Sequence, residues 1–538
     1  MKLFTTRQIA DIDRYTIDHE PISELDLMER ASMAISDRLL HLFSRQRKLV
    51  FLAGPGNNGG DALAVARLMS ATGYPCEVYL PDLGKSGSPS REINLQRLKD
   101  QAKAKIFTIS GENDFPQPEP GSIIIDGLFG SGLTRPPEGL AAALVRHINE
   151  ISDFGFTISD LTARESAGKS EIVNPKSEIF VVAIDVPSGL MGEDNSGNIP
   201  ENIIRAHATI TLQFPKLSLL FPENEQYAGE VFTEDIGLHP DAICKTETVY
   251  QLSERDTIYN WFPPRKRFAH KGDFGHALLI GGSYGKMGAA LLASEACLLM
   301  GAGLVTTHLP SSGYVSQQTY RPEVMCSIDP GSHFILEVPP LKPYQAIGIG
   351  PGLGTRPETK KAISELIARA EVPMVWDADA LNHLALNPLW LEHLPQGTIL
   401  TPHPGEFRRL FGETRDSWQQ LQLLRKKAKE LKLVIVLKGA FTAIALPNGN
   451  VWFNPTGNPG MATGGSGDVL TGIILGLLAR GFSPERAARA GVFIHGKAGD
   501  MAAARVSQDS LTASDISHSL PEVFQHIYGW RQSEFSYF

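Results

Sequence analysis

Three times in the first half of this chain, an apolar run rich in β-branched residues stops at a glycine-rich loop. Lys48–Ala53 (KLVFLA) meets GPGNNGGDA, Ser122–Asp126 (SIIID) meets GLFGSGL, and Ile179–Asp185 (IFVVAID) meets VPSGL. A strand with no polar alternation must be covered on both faces, as in a parallel sheet. Helical spacing over Ala62–Ala71 and Glu138–Asn149 completes a βαβ rhythm. A second series follows. His276–Ile280, Ala346–Ile349, Val372–Asp377, Thr398–Thr401 and Val434–Lys438 run into GGSYGKMGA, GPGLG, ADAL, PHPGEF and GAFTAI, and GNPGMATGGSGD opens an apolar helix from Val469. Between the two series, Pro263-Pro264 and the Arg265-Lys266-Arg267 run mark a boundary. The pattern predicts an α/β protein of two domains, residues 1–238 and 256–538, joined by a linker over 239–255.

Composition narrows the partners. The 538 residues are 42% hydrophobic before the 51 glycines are counted, which excludes a disordered chain. Fifty basic against 59 acidic residues leave a formal charge of −9, so no global positive field recruits nucleic acid or anionic lipid. The longest apolar stretches are interrupted, by Glu295 or by the Gly and Thr residues after Val469, so no membrane span is expected. The first residues, MKLFTTRQIADIDRY, meet Asp11 and Asp13 before any apolar core, unlike a signal peptide. Four widely spaced cysteines without a CxxC pair argue against a zinc site or disulfide framework and fit a cytoplasmic location.

Ligands of an open parallel sheet bind beyond the carboxyl ends of its strands. Gly54-x-Gly56-x-x-Gly59 satisfies the dinucleotide fingerprint literally, and Asp82 lies near the end of the next strand. Asp61 at the helix start would repel a pyrophosphate, however. Asn side chains, Asp126 and Ser188 supply hard oxygens from three loops, suited to a monovalent cation or a ribose hydroxyl. Read separately, Asn57 and Asn58 form a turn and Asp61 caps a helix. In the second half, GGSGD at Gly464–Asp468 offers first-turn amides as an anion hole. Asp468 there is either a base for an attacking hydroxyl or a helix cap. Gly281-x-x-x-Gly285-Lys286 is one residue short of a Walker A loop and ends in Met287, so phosphoryl chemistry would proceed without a P-loop. His403, between two prolines, is read as either a ligand contact or a structural residue. Lys438, closing an apolar run, is suited to neutralising phosphate.

LMERAS, GPGNNGGDA, IIDGLFGSGL and AIDVPSGL resemble the Rossmann-like, YjeF-type N-terminal domain of NAD(P)H-hydrate epimerases. HKGDFGHALLIGGS, GAGLV, GIGPGLG, WDADAL, LTPHPGEF, LKGAFT and TGNPGMATGGSGDVLTGI resemble the ribokinase-like, ADP-dependent NAD(P)H-hydrate dehydratases. The resemblance covers nearly the whole chain. It implies a bifunctional isomerase and lyase acting on NADHX and NADPHX, which carry water added at C6 of the dihydronicotinamide ring. R and S hydrates would be epimerised, and the S hydrate dehydrated at the expense of ADP, with AMP and phosphate released. It further implies K⁺ in the first domain, Mg²⁺ in the second, a homo-oligomer and a cytoplasmic enzyme.

Carried over by residue, the resemblance implies that Asn57, Asn58, Gly59, Gly60, Asp61 and Gly130, Ser131, Gly132, Leu133, Thr134, Arg135, Pro136 bind hydrate in the first domain. Asn58, Asp126 and Ser188 would hold K⁺, and Asp185 would contact the reacting ring. In the second domain Ala289, Gly352, Gly354 and His403 would hold hydrate, with Asp468 as the base. Lys438, Gly439, Ala440, Phe441, Thr442 and Gly467 would hold the adenine nucleotide. The chain departs from the family pattern at Ala62, which replaces the Gly usually following NNGGD and is expected to tighten the loop's approach to ligand. Gly127 stands where Ala is usual, and residues 151–178 lengthen a connection as an expected surface excursion. A ribokinase-like small-molecule kinase with a non-catalytic nucleotide-binding N-domain is the second reading. The product separates the two: a stable phosphorylated acceptor against free phosphate and a restored dihydropyridine.

Overall fold

The structure is a computed structural model that describes residues 1–152 and 179–532. The lengthened connection over 151–178 lies, from residue 153 on, outside the described residues. The chain forms two compact units, one built mainly on Lys2–Thr248 and the other mainly on Val249–Arg415 and the residues from Gln419 onward.

Among the described residues, the sheet of the first unit has seven strands: β1 Leu49–Ala53, β2 Cys76–Pro81, β3 Lys105–Ile109, β4 Ile123–Gly127, β5 Phe180–Ile184, β6 Ala208–Leu212 and β7 Glu230–Glu234. They pair in parallel throughout, in the order β3-β2-β1-β4-β5-β6-β7. The order reverses between β1 and β4, which makes their carboxyl ends the switch point where such sheets bind ligands. The missing alternation in β1 is explained by packing. Leu49, Phe51 and Ala53 enter one buried cluster with residues of α2 (Glu24–Leu42) and α3 (Asn57–Ala71). Val50 and Leu52 enter another with Leu144, Val145 and Ile148. Each face of the strand is therefore sealed, and truncating a residue such as Phe51 to Ala would cost about 3–5 kcal/mol. Ahead of these elements, α1 (Thr6–His19) starts with a capping box between Thr5 and Gln8.

In the second unit ten strands follow the order β8-β17-β16-β15-β14-β13-β12-β9-β10-β11. They are β8 Tyr250–Leu252, β9 His276–Ile280, β10 Leu304–Pro310, β11 Met325–Asp329, β12 Ala346–Ile349, β13 Met374–Trp376, β14 Ile399–Leu400, β15 Val434–Leu437, β16 Ala443–Ala445 and β17 Val451–Phe453. Pairing is parallel except in the β15-β16-β17 meander. Loop 438–442 thus closes a hairpin. The core forms where Ala277 and Leu279 of β9 meet α4 (Met287–Leu299) and α6 (Ser466–Ala479); α5 (Pro404–Phe411) follows β14. The stretch 239–255 is structured rather than a free linker. Helix Pro240–Lys245 stays with the first unit and β8 pairs with β17 in the second, because main-chain groups beside a sheet edge find partners there. Among the described residues no helix is long and apolar enough to cross a membrane.

Candidate active sites

In the first unit, the carboxyl ends of the central strands border a cavity of about 440 Å³. Asn57, Asn58, Asp61, Gly130, Ser131, Gly132, Leu133 and Asp185 line it. Gly59, Gly60, Thr134, Arg135 and Pro136 are not among its lining residues. The first two are required by packing. A Cβ at Gly59 would fall 2.0 Å from Gly54 O, so only glycine lets α3 start this close to β1, and one at Gly60 would meet Met28 Sδ at 2.8 Å.

The Asp185 backbone is strained. Its φ of +69° and the Val186 N–H donated to Ile184 O (2.9 Å) define a γ-turn of the rare form. Gln213, after the neighbouring β6, repeats it, with φ +59° and Phe214 N–H donated to Leu212 O at 2.7 Å. Each such residue costs on the order of 1–3 kcal/mol, and both line the cavity. Lys216 secures the first. Its ammonium, 2% exposed, donates to the Asp185 carboxylate, to Thr211 Oγ1 (3.2 Å) and to Leu212 O (3.1 Å), which uses all three N–H donors.

These contacts divide the carboxyls of the cavity. Burial would raise Asp185, but the Lys216 charge and hydrogen bonds from Lys216 and Ser131 outweigh it and hold the group below the usual range. Among the described residues no such cation meets Asp61, and burial, together with the Asp185 and Asp13 charges, pushes it well above that range. Asp13, from α1, is raised to about 6, mainly by burial. The site therefore holds one fixed carboxylate beside two protonatable acids.

Asp126 and Ser188 lie against each other at the side of this site. Ser188 donates its N–H (2.7 Å) and Oγ–H (2.6 Å) to Asp126, and Leu128 N–H adds a third bond at 3.2 Å. No ion pair reaches Asp126 among the described residues, and burial pushes its carboxyl up to about 6. Asn58 comes from α3 and packs against Gly130; its Nδ2 is buried with no hydrogen-bond partner among the described residues. A buried carboxylate that only neutral groups contact, with the Ser188 hydroxyl and the Asn58 amide oxygen on adjoining loops, is a set of hard oxygens that fits a monovalent cation; the Asn58 Nδ2, a donor, would face away from it.

In the second unit Gly465, with φ +90°, is the N-cap of α6, and no side chain caps the helix. Asp468 is its third residue. Burial and the charges of Asp377 and Asp379 push its carboxyl up to about 7, against the pull of Lys438. Lys438 donates to Asp377 (2.8 Å) and lies 4.0 Å from Glu406; Thr471 Oγ1 donates to the other Asp377 oxygen at 2.7 Å. Burial disfavours the Lys438 charge, but Asp377 and Glu406 outweigh it and its pKa is raised. The position of a Cβ at Gly467 is 3.4 Å from Lys438 Nζ, so the ammonium adds to the positive end of α6.

The other predicted residues distribute around this centre. A Cβ at Gly352 would lie 3.2 Å from that of Ala289, and Gly354 N–H donates to Asp379 at 2.9 Å. His403 caps α5: its Nδ1 accepts from Gly405 N–H (3.0 Å), and its own N–H donates to Glu406 (2.9 Å). Thr442 Oγ1 donates to Gly439 O (2.8 Å) across the loop, leaving Gly439, Ala440 and Phe441 exposed. Sequence reasoning missed Asp13, Gln213 and Lys216 in the first site and Asp377, Asp379, Glu406 and Thr471 in the second. WDADAL and HPGE contain Asp377, Asp379 and Glu406, so a motif marked them without a role.

The family model for YjeF-related protein N-terminus matches residues 24–218, and that for NAD(P)H-hydrate dehydratase matches residues 277–522. The bifunctional NAD(P)H-hydrate repair enzyme Nnr of Moorella thermoacetica is 34% identical over 98% of this chain and 97% of its own length. The chain belongs to this family. The Coxiella burnetii repair enzyme is 35% identical, over 96% of this chain and 97% of that one. The Bacillus subtilis ADP/ATP-dependent NAD(P)H-hydrate dehydratase, co-crystallised with ATP/Mg²⁺, is 32% identical over 52% of this chain and 98% of that one, with a TM-score of 0.46. As a repair-enzyme family member, this chain carries the epimerase-type and dehydratase-type domains in one polypeptide.

Proposed function

We propose that the first unit interconverts R and S NAD(P)H hydrates and that the second dehydrates the S form with ADP. The observation that carries the reading is Asp468, a carboxyl raised to about 7 at an uncapped, glycine-lined helix start with Lys438 behind it. A base with a pKa near the working pH accepts a hydroxyl proton efficiently and releases it again. Asp468 takes the proton of the C6 hydroxyl as its oxygen attacks the terminal phosphoryl group of ADP. The α6 amides, reinforced by Lys438, offset the charge on the transferring group. AMP leaves. The ring nitrogen then expels phosphate from C6, and loss of a C5 proton restores the dihydropyridine.

In the first unit Asp61 donates the proton with which the C6 hydroxyl leaves as water, and the carboxylate of Asp185, fixed by Lys216, offsets the ring cation. Water returning on the other face completes epimerisation. K⁺ held by Asn58, Asp126 and Ser188 would balance the buried Asp126 charge. Mg²⁺ would arrive on the nucleotide phosphates, since among the described residues no three His, Cys, Asp or Glu side chains cluster to cage a metal. The test is incubation of the full chain with mixed R and S hydrates. With ADP all hydrate should return to NAD(P)H; without it only R and S should equilibrate. A stable phosphorylated acceptor would instead establish the kinase reading.

A further inference from the structure

Asp13 reaches the first cavity from α1, and the matched family model begins only at residue 24. Ile9 and Asp13, one helical turn apart, both line the cavity, so α1 turns one edge of its surface into the site. The helix is tied at both ends. Thr6 donates its N–H (2.5 Å) and Oγ–H (3.0 Å) to Glu193, and Thr16 Oγ1 accepts from His239 N–H at 3.0 Å. Among the described residues the Asp13 carboxyl has no hydrogen bond and no ion pair.

Taking the epimerase reading above as its basis, we infer that Asp13 is a second catalytic acid–base residue of epimerisation, complementary to Asp61. The chemistry calls for two. The hydroxyl leaves from one face of the ring and water returns to the other, and a carboxyl fixed on one helix serves one face. Asp61 stands on α3 and Asp13 on α1. In one direction a protonated carboxyl gives its proton to the C6 hydroxyl, the C6–O bond breaks, and the N1 lone pair forms the N1=C6 bond. Water then adds to C6 from the opposite face and gives a proton to the other carboxylate, while the N1=C6 electrons return to nitrogen. One acid has lost a proton and the other gained one, and exchange with solvent resets both. The reverse reaction exchanges their roles. The charged and titratable groups facing Asp13 are Lys216, Asp185 and Asp61, and its raised value of about 6 keeps both forms accessible near neutrality.

The full-length chain tests this with Asp13→Asn and Asp13→Glu. For Asp13→Asn, kcat for R-to-S conversion should fall about 10²-fold or more with KM within threefold, the usual scale for a positioned acid or base. The limb of the pH profile near 6 should vanish, and Asp13→Glu should recover at least tenfold of the loss with that limb displaced. ADP-dependent dehydration of purified S hydrate should be unchanged. Epimerisation by Asp13→Asn within threefold of the unaltered chain, or a loss confined to KM with the pH profile intact, would overturn the inference. If Asp13→Asn does not fold, Asp13→Glu decides alone: turnover with a displaced limb supports the role, and an unmoved limb overturns it. An unaltered chain that never interconverts R and S would instead refute the epimerase reading beneath it.

Discussion

The Cβ of Ala62 fills the space that a side chain at residue 127 would need. A Cβ built on Gly127 would lie 2.5 Å from that of Ala62, and 3.0 Å from Asn58 O. The two departures from the family pattern are therefore one feature, a methyl group moved from β4 to α3. Ala62 is fully buried and outside the cavity lining, so it supports the site's wall and does not tighten the loop on ligand as its sequence position suggested.

This exchange predicts coupling. Gly127→Ala alone should destabilise the first unit by about 1–3 kcal/mol through overpacking. Ala62→Gly alone should cost about 1 kcal/mol for a glycine inside a helix. The double variant should be more stable than the sum of the two by at least about 1 kcal/mol, read from denaturant midpoints. Additive losses would show that the two positions are independent.

Asp468→Asn keeps the size of the side chain and loses the base. Dehydration should fall by roughly 10²–10⁴-fold, while nucleotide binding and epimerisation persist. Single-turnover assays with purified S hydrate measure this directly. A near-normal rate in the folded variant would leave Asp468 with a structural role only.

The pH dependence of dehydration follows from the same carboxyl. The base must be unprotonated and its pKa is raised to about 7, so the rate should halve near pH 7 and fall about tenfold per unit below it. Asp379→Asn removes one of the charges that raise it, and the midpoint should move to lower pH. An unmoved midpoint would mean that another group sets the limb.

Without a bound cation, the raised Asp126 carboxyl favours the protonated native state. Its contribution is present below about pH 4 and is lost as pH rises through about 6, on the order of 3 kcal/mol in all. Dialysis against a bulky organic cation should therefore lower the melting temperature of the first unit at pH 7.5, and K⁺ should restore it. In Asp126→Asn the K⁺ response should disappear. Equal melting of the unaltered chain with and without K⁺ would argue against a cation there.

Fragments should divide the chemistry. One ending at residue 248 should equilibrate R and S without nucleotide, and one starting at 249 should convert only the S form, with ADP. The partition rests on each unit carrying its own sheet and site. A folded N-terminal fragment that leaves pure R hydrate unchanged would count against it.

The architecture was legible because it depends on local chemistry. A continuous apolar run can exist only where both faces are covered, and glycine clusters mark where backbone must pass close to backbone or ligand, so β1, β4 and β5 and their loops could be read directly. Asp61, Asp126, Asp185 and Asp468 stood out for the same reason, since each sits beside such a loop. Protonation states were not legible. Four aspartates look alike in sequence, and only folding places Lys216 against Asp185, leaves Asp61 without a cation and surrounds Asp468 with Asp377, Asp379 and Lys438. Asp13 lies 172 residues from Asp185, and no periodicity in α1 indicates that its edge faces the end of β5. Burial and charge pairing act through space, at ranges of a few ångströms, between residues the chain order does not connect. The sequence by itself therefore determined where the carboxyls are displayed, and the tertiary structure decided in which direction each one's proton affinity is shifted.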